Sequence, residues 1–268
     1  MTTPDPNRVP QFDISRFSLE GKVAIVTGGS DGIGRGIAHT YADVGAKVVI
    51  AARRQEKIDN VLAELAAKGH EALGVSTDVT DEASVGAMVQ AALARFGKVD
   101  ILVNVVGGSQ GPTFKRGPLL EITKHDFMEA FNINVASAFV CCQAVVPKML
   151  ERGGGVVLNM ASIGAREYRP PETGMSVYNM TKASIMHLTR SMAKEWAPTV
   201  RVNAINAGHV ITPRRAATEK PERRAKSLGE ILVGRFGEPE DIGAAAVYLA
   251  SDAGSFMNGA FLDVHGGN

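Results

Sequence analysis

The sequence predicts an α/β fold, a doubly wound parallel sheet of about seven strands with helices on both faces, on three observations. Short β-branched runs alternate with longer amphipathic ones from Lys22 onward. Those runs are almost continuously hydrophobic, as parallel strands buried on both faces are. A glycine-rich turn joins the first of them directly to the first helical pattern. Alternation of this kind builds βαβ units around one sheet.

Taken in order, the predicted strands are "KVAIVT" (22–27), "AKVVIAA" (46–52), "ALGVST" (72–77), "DILVNV" (100–105), "GVVLNM" (155–160), "VRVNAI" (200–205) and "AFLDV" (260–264). Helical patterns at 33–44, 55–68, 82–96, 124–151 and 178–197 lie between them. No Pro/Gly/Ser-rich linker interrupts the alternation. One domain is therefore expected over 19–268, behind a flexible, Pro-rich and polar N-terminal arm over 1–18.

The 268 residues are 45% hydrophobic and 21% charged, with a formal net charge of +1. That composition suits a soluble globular protein, and the near-neutral balance gives no reason to expect a nucleic-acid partner. The first residues lack the apolar core of a signal peptide, and no apolar run approaches the roughly 20 residues of a membrane span. A cytoplasmic setting with no membrane partner is the expectation. Cys141 and Cys142 are adjacent within a helical pattern, so they point to different faces and read as buried small hydrophobes, not as a disulfide or metal site.

The turn after the first strand reads "TGGSDGIGRGIA". Glycines at Gly28, Gly32 and Gly34 permit positive φ and close backbone approach, and the helix that follows presents unpaired N–H groups and a positive dipole end. An ordinary glycine-rich turn is the plain alternative. Its place between the first strand and first helix of a βαβ unit favours a pyrophosphate site. At the end of the second strand an acid would bind a ribose 2′-hydroxyl and an arginine would accommodate a 2′-phosphate. Ala51 and Ala52 are followed there by Arg53 and Arg54, which favours NADP over NAD, unless both arginines are solvated loop charges. Asp31 offsets that field if it faces the same pocket.

In "SVYNMTK", Tyr178 and Lys182 stand one helical turn apart and share a face. Alone, the pair reads as a surface contact worth a few tenths of a kcal/mol. Together with a nucleotide cradle and a serine, Ser162, just beyond the end of a predicted strand, it reads as proton-transfer machinery. Tyrosine is a poor base near neutrality, with an ordinary pKa of about 10. Lowering that by three units takes roughly 4 kcal/mol of preference for the phenolate, which a nearby positive charge supplies.

The motifs "TGGSDGIG", "NVVG", "NIN", Ser162, "YNMTK" and "RVNAINAG" follow one another with suitable spacing, and over about residues 18–268 the chain resembles the short-chain dehydrogenase/reductase family. The resemblance implies a Rossmann-type sheet, a nicotinamide cofactor, and reversible interconversion of a secondary alcohol and a ketone. It implies Asn134, Ser162, Tyr178 and Lys182 as the catalytic tetrad, with Asn134 holding a water that links Lys182 to solvent. It further implies cofactor contacts from the loop Gly28, Ser30, Asp31, Gly32, Ile33 and Gly34; from Arg53 and Arg54; from Asp78 and Val79 beside the adenine; from Asn104 and Gly107 beneath the cofactor; and from Gly208, Val210, Ile211 and Thr212 at the nicotinamide. Two positions depart from the family pattern. Val105 and Val106 replace Asn and Ala, which affects the hydrogen bonds supporting the fourth strand, and Ala207 replaces a proline.

Three stretches are expected to form the substrate pocket: 107–118, 163–177 and a lid at 209–232 rich in arginine and lysine. The lid's cations read either as a solvated face or as a match for an acidic or CoA-linked substrate. The glycine-rich 107–118 loop is similar to that of bacterial hydroxysteroid dehydrogenases, which suggests a cyclic or steroid-like alcohol. Two rivals are a cofactor-sensing protein without turnover, which the retained tyrosine and lysine argue against, and a nucleotide-sugar epimerase, for which the chain is short. The resemblance also implies a homotetramer built through helices 124–151 and 178–197 and the last strand.

Overall fold

The computed structural model describes residue 9, residues 11–166 and residues 173–267. Most of the predicted arm (1–8 and 10) and part of the stretch between Ser162 and Tyr178 (167–172) lie outside these. Seven strands form one parallel sheet: β1 Val23–Thr27, β2 Lys47–Ala52, β3 Ala72–Ser76, β4 Ile101–Asn104, β5 Gly155–Ser162, β6 Val200–Ala207 and β7 Phe261–Val264. Their spatial order is β3-β2-β1-β4-β5-β6-β7. Along β1, Ala24 and Val26 enter one hydrophobic cluster while Val23 and Ile25 enter the other. Val48 and Ile50 divide from Val49 and Ala51 in the same way along β2. This period of two, with both faces covered, is why the strands read as unbroken apolar runs.

The helices are α1 Gly32–Asp43, α2 Gln55–Ala67, α3 Glu82–Phe96, α4 Lys124–Phe131, α5 Ser137–Glu151, α6 Ser176–Glu195, α7 Pro213–Thr218, α8 Pro221–Gly229 and α9 Pro239–Ala250. The last three have no counterpart among the helical patterns named from the sequence, and α7 and α8 fold the predicted lid. The long helix predicted at 124–151 is continuous but passes through a π-helical turn, Asn132–Ala136, between α4 and α5. By length and composition this rod is apolar enough to cross a bilayer. Its apolar side is spent on the sheet and on α3, with Cys141, Cys142, Val145 and Met149 all in the core. Burial pushes both thiols up to about 12. Ahead of β1, Ile14–Phe17 form a 3₁₀ turn capped by Asp13, and Arg16 donates to the Asp252 carbonyl at 2.8 Å.

The strand order reverses direction between β1 and β4, which opens a crevice outside their carboxyl ends. Register brings Thr27 beside Asn104, Asn104 beside Asn159, and Ser162 beside Ala207 at the last pair of β5 and β6. Every site residue that follows a strand therefore opens onto one edge of the sheet.

Candidate active site

The glycine loop is built for close approach. Gly28 and Gly32 take positive φ of 68° and 50°, and a Cβ on Gly34 would collide with the Gly28 carbonyl. Asp31 is the N-cap of α1 but makes no capping hydrogen bond, so its side chain leaves the first N–H groups at the crevice unfilled. Ser30 is buried beside them, and Ile33 lines the cleft. A dinucleotide's pyrophosphate fits this cradle. The Asp31 carboxylate instead faces α2, paired with Lys57 and with Arg54 at 3.4 Å. Of the two arginines read from sequence, Arg54 is thus engaged by Asp31, while Arg53 is exposed and its charge helps hold the Asp78 carboxyl below the usual range, behind hydrogen bonds from Thr80. Lys57 was not among the residues singled out from sequence; its only signal is its place in the charged run "RRQEK". Val79, next to Asp78, is buried in the core.

On the other side of the crevice, Ser162, Tyr178 and Lys182 line one cleft with Val105, Gly107, Ala207 and Gly208. Its volume is about 170 Å³, close to that of an apolar cavity that takes up one benzene ring. Ser162 neighbours the Tyr178 hydroxyl closely enough to oppose the rise that burial imposes on it, and its Oγ accepts from the Gly164 N–H at 3.2 Å. Lys182 is 3% exposed; its Nζ donates to the Met160 carbonyl at 2.8 Å and lies 5.8 Å from the Tyr178 ring centroid. The sequence argument has Lys182 depressing the phenol. In the protein by itself burial outweighs that effect: the Tyr178 hydroxyl stands above its ordinary value, with the Ser162 hydroxyl opposing, and the lysine is pushed down to about 8.

Asn134 sits in the π turn, buried, gripping Gly108 at two points. Its Oδ1 accepts from the Gly108 N–H at 2.9 Å, and its Nδ2 donates to the Gly108 and Ala130 carbonyls at 3.0 and 2.9 Å. These contacts tie the amide that the resemblance assigns to a water to the loop and to α4, and leave its Oδ1 a second lone pair. A Cβ on Gly107 would stand 2.6 Å from Asn134 Oδ1 and 3.0 Å from Lys182 Nζ, so only glycine lets these two approach.

Asn104 does not point at the crevice floor as a bare contact; it starts a buried chain. Its Nδ2 donates to Asn159 Oδ1 at 3.0 Å, Asn159 Nδ2 to Thr189 Oγ1 at 3.0 Å, and Thr189 Oγ1 to the Ile185 carbonyl at 2.8 Å. Sequence reasoning passed over Asn159 and Thr189, although a polar residue inside "GVVLNM" was the available signal. Despite Val105 and Val106, strand β4 is also held by Thr27, whose hydroxyl donates to the Val103 carbonyl and accepts from the Val105 N–H.

After β6, Gly208 packs against His265, with no room for a Cβ between them. The N–H groups of Val210 and Ile211 are spent on the Gly208 and Gly237 carbonyls. Thr212 caps α7 by accepting from the Arg215 N–H, and its methyl lies 3.1 Å from where a Gly32 Cβ would be, closing the lid's root over the glycine loop. The lid's cations are partly internal. Arg215 makes a bidentate pair with Glu219, and Arg214 donates to the Gln110 carbonyl at 3.0 Å, tying the lid to the 107–118 loop.

Over residues 28–268 the chain matches the family model described as enoyl-(acyl carrier protein) reductase. The chain is a short-chain dehydrogenase/reductase. An uncharacterised oxidoreductase of Mycobacterium tuberculosis is 40% identical to it over 256 residues, 95% of this chain and 94% of that protein. The solved structure of a 7α-hydroxysteroid dehydrogenase with NADH and 7-oxo glycochenodeoxycholic acid has a TM-score of 0.89 at 36% identity, covering 96% of this chain and 98% of the other. A protein described as an NAD(P)-dependent gluconate 5-dehydrogenase of Beutenbergia cavernae, with NADP at low occupancy, has a TM-score of 0.83 at 35% identity over 94% and 98% of the two chains. This short-chain dehydrogenase/reductase is thus an oxidoreductase with the Rossmann-type sheet of its relatives and a nicotinamide-cofactor site.

Proposed function

We propose that the protein interconverts a secondary alcohol and a ketone with Tyr178 as the general acid and base. The observation that carries this reading is that Ser162, Tyr178 and a buried Lys182 line one cleft that adjoins the glycine cradle. A dinucleotide would be held by the loop Gly28 to Gly34, by Asp78 and Gly107, and by Gly208 and Thr212. Val79, Asn104, Val210 and Ile211 shape the site from behind, since Val79 is in the core and the Asn104 amide and the Val210 and Ile211 N–H groups already have partners. A bound nicotinamide supplies the hydride acceptor in oxidation and the donor in reduction. Ser162 donates to the substrate oxygen and orients it. In oxidation Tyr178 takes the carbinol proton, and in reduction it returns it. Lys182 contributes positive charge next to the phenol and so opposes the rise that burial imposes on it. Asn134 positions Gly108 and, through the room left at Gly107, the lysine.

Arg53, exposed at the end of β2 where no acid stands, supports NADP over NAD. Cofactor absorbance followed with a panel of cyclic alcohols and ketones, each run with NADP and NAD, tests both parts of the reading. The expected result is turnover of at least one member with an NADP preference, which Arg53→Ala lowers by about ten-fold or more, since a charged contact is worth roughly 1.5–3 kcal/mol. A clear preference for NAD, unaffected by the substitution, removes the cofactor assignment; no turnover anywhere in the panel counts against the cyclic substrate. The bile-acid ketone bound by the 7α-hydroxysteroid dehydrogenase relative supports a cyclic or steroid-like substrate.

We also propose a homotetramer in a reducing cytoplasm. Phe127, Met128, Phe139 and Met180 are exposed large apolar side chains on α4, α5 and α6, where a tetramer would cover them. Light scattering is expected to give four times the chain mass, and a monomer at micromolar concentration would remove the claim.

A further inference from the structure

We propose that a second pocket, between the 107–118 loop, the start of α6 and the lid helix α8, is a carboxylate-binding subsite, so that the substrate is an acidic alcohol or ketone. The inference rests on the dehydrogenase reading above and adds the chemistry of the substrate's far end. The pocket has a volume of about 250 Å³, with Arg116 and Gly117 on one wall, Gly174 and Met175 on another and Arg223 on the third. Met175 is the N-cap of α6, three residues before Tyr178. The pocket therefore begins about 4.5 Å of helix axis from the reacting hydroxyl's residue.

Arg116 distinguishes this pocket from the rest of the basic rim. Among the described residues its one hydrogen bond runs from Nη1 to the Met175 Sδ at 3.3 Å, and a thioether is a weak acceptor. Among the described residues no carboxylate pairs with it. The Glu121 carboxylate lies 3.8 Å from where a Gly117 Cβ would stand. Neighbouring arginines are committed elsewhere: Arg215 to Glu219, Arg214 to the Gln110 carbonyl, Arg235 to Asp241, and Arg224 over the Phe236 ring. Arg223 is engaged as well, its charge helping to hold the Glu219 carboxyl below its usual range, so Arg116 is the principal ligand of the pocket. A guanidinium presents a planar fork of donors that matches a carboxylate in two-point contact and gives up little when it leaves a sulfur acceptor. Gly174, at φ of 81°, lets the two walls approach: a Cβ there would stand 3.6 Å from the Gly117 backbone. The adaptable Met175 side chain offers an apolar surface between the two polar ends. Of the two related dehydrogenases named above, one is in complex with a glycochenodeoxycholic acid and the other is named for gluconate.

The test uses 4-oxocyclohexanecarboxylate and 3-(4-oxocyclohexyl)propanoate, each with its methyl ester, on the full-length enzyme loaded with cofactor. Calorimetric titration is expected to give at least ten-fold tighter binding of one acid than of its ester, and Arg116→Gln with Arg223→Gln is expected to bring that ratio toward one. Turnover is read in parallel. A lost acid preference in the double variant without turnover of any probe keeps the subsite and sinks the dehydrogenase reading for cyclic ketones. Turnover with acid and ester bound alike, or with a preference that survives the double substitution, sinks the subsite and leaves the dehydrogenase reading intact. Failure of both acids and both esters to bind overturns the subsite as well.

Discussion

Replacing Tyr178 by phenylalanine is expected to lower kcat by about a thousand-fold or more, with cofactor affinity held within about a factor of two. The magnitude follows from what a positioned acid–base group contributes, roughly 10² to 10⁴. Phenylalanine keeps the ring that fills the cleft wall and removes only the hydroxyl. Ser162 cannot take over, because an alcohol has no accessible basic form near neutrality. Lys182 is positioned against the Met160 carbonyl, not at the substrate's place. Equilibrium binding of NADP and NADH-type absorbance kinetics on the same preparation separate loss of chemistry from loss of fold. Turnover within ten-fold of the parent would refute the role given to Tyr178.

Lys182→Met is expected to abolish turnover, by about a hundred-fold or more, and at the same time to stabilise the protein at pH 7. Burial pushes the ammonium down to about 8 from its ordinary 10.5. The folded state therefore releases this proton before the unfolded chain does, and stability rises with pH between about 8 and 10.5. Below pH 8 the fold carries the whole penalty of roughly 3 kcal/mol. Methionine has nearly the same shape and no charge, and its cost is the hydrogen bond to the Met160 carbonyl, about 1 kcal/mol. A net gain of about 1–2 kcal/mol at pH 7, or about 2–6 °C in Tm, is expected. The gain should shrink toward zero, then reverse, as the pH approaches 10.5. A Tm that falls at pH 7, or a difference that does not change with pH, would overturn this account. Such an inverse relation between stability and activity is what a group retained for chemistry alone produces.

What could be read from the sequence was set by short-range pattern. Strand alternation, the glycine loop and the Tyr178–Lys182 spacing each fit within a dozen residues, and the structure brings their residues to one edge of the sheet. What could not be read depends on side chains meeting from distant elements. Whether Asp31 faces the arginines stays open in sequence; in space its carboxylate meets Arg54 and also Lys57, 26 positions along the chain, at the start of α2. The π turn at Asn132–Ala136 leaves no mark in a run that is helical by composition throughout. The lid reads as rich in cations against few acids because Glu219 counts once in composition, whereas in space it neutralises Arg215 with two hydrogen bonds. Strand β5 is two residues longer than predicted since it continues to pair with β6 as far as Ser162 and Ala207, a partnership that no local pattern encodes.

The line of amides and hydroxyls from Asn104 through Asn159 to Thr189 has a bearing on how this scaffold tolerates change. All its donors run in one direction across β4, β5 and α6. Sliding β4 against β5 by a single residue would turn Asn104 to the other face and strand the Asn159 amide in an apolar interior. The half of the crevice that carries the glycine loop and the half that carries Ser162 are thereby indexed to each other, to within the tolerance of a hydrogen bond. Loops at the rim can then lengthen, shorten or exchange residues to suit a new substrate without disturbing the alignment of proton carrier and cradle, so diversification is confined to the mouth while the mechanism stays in place.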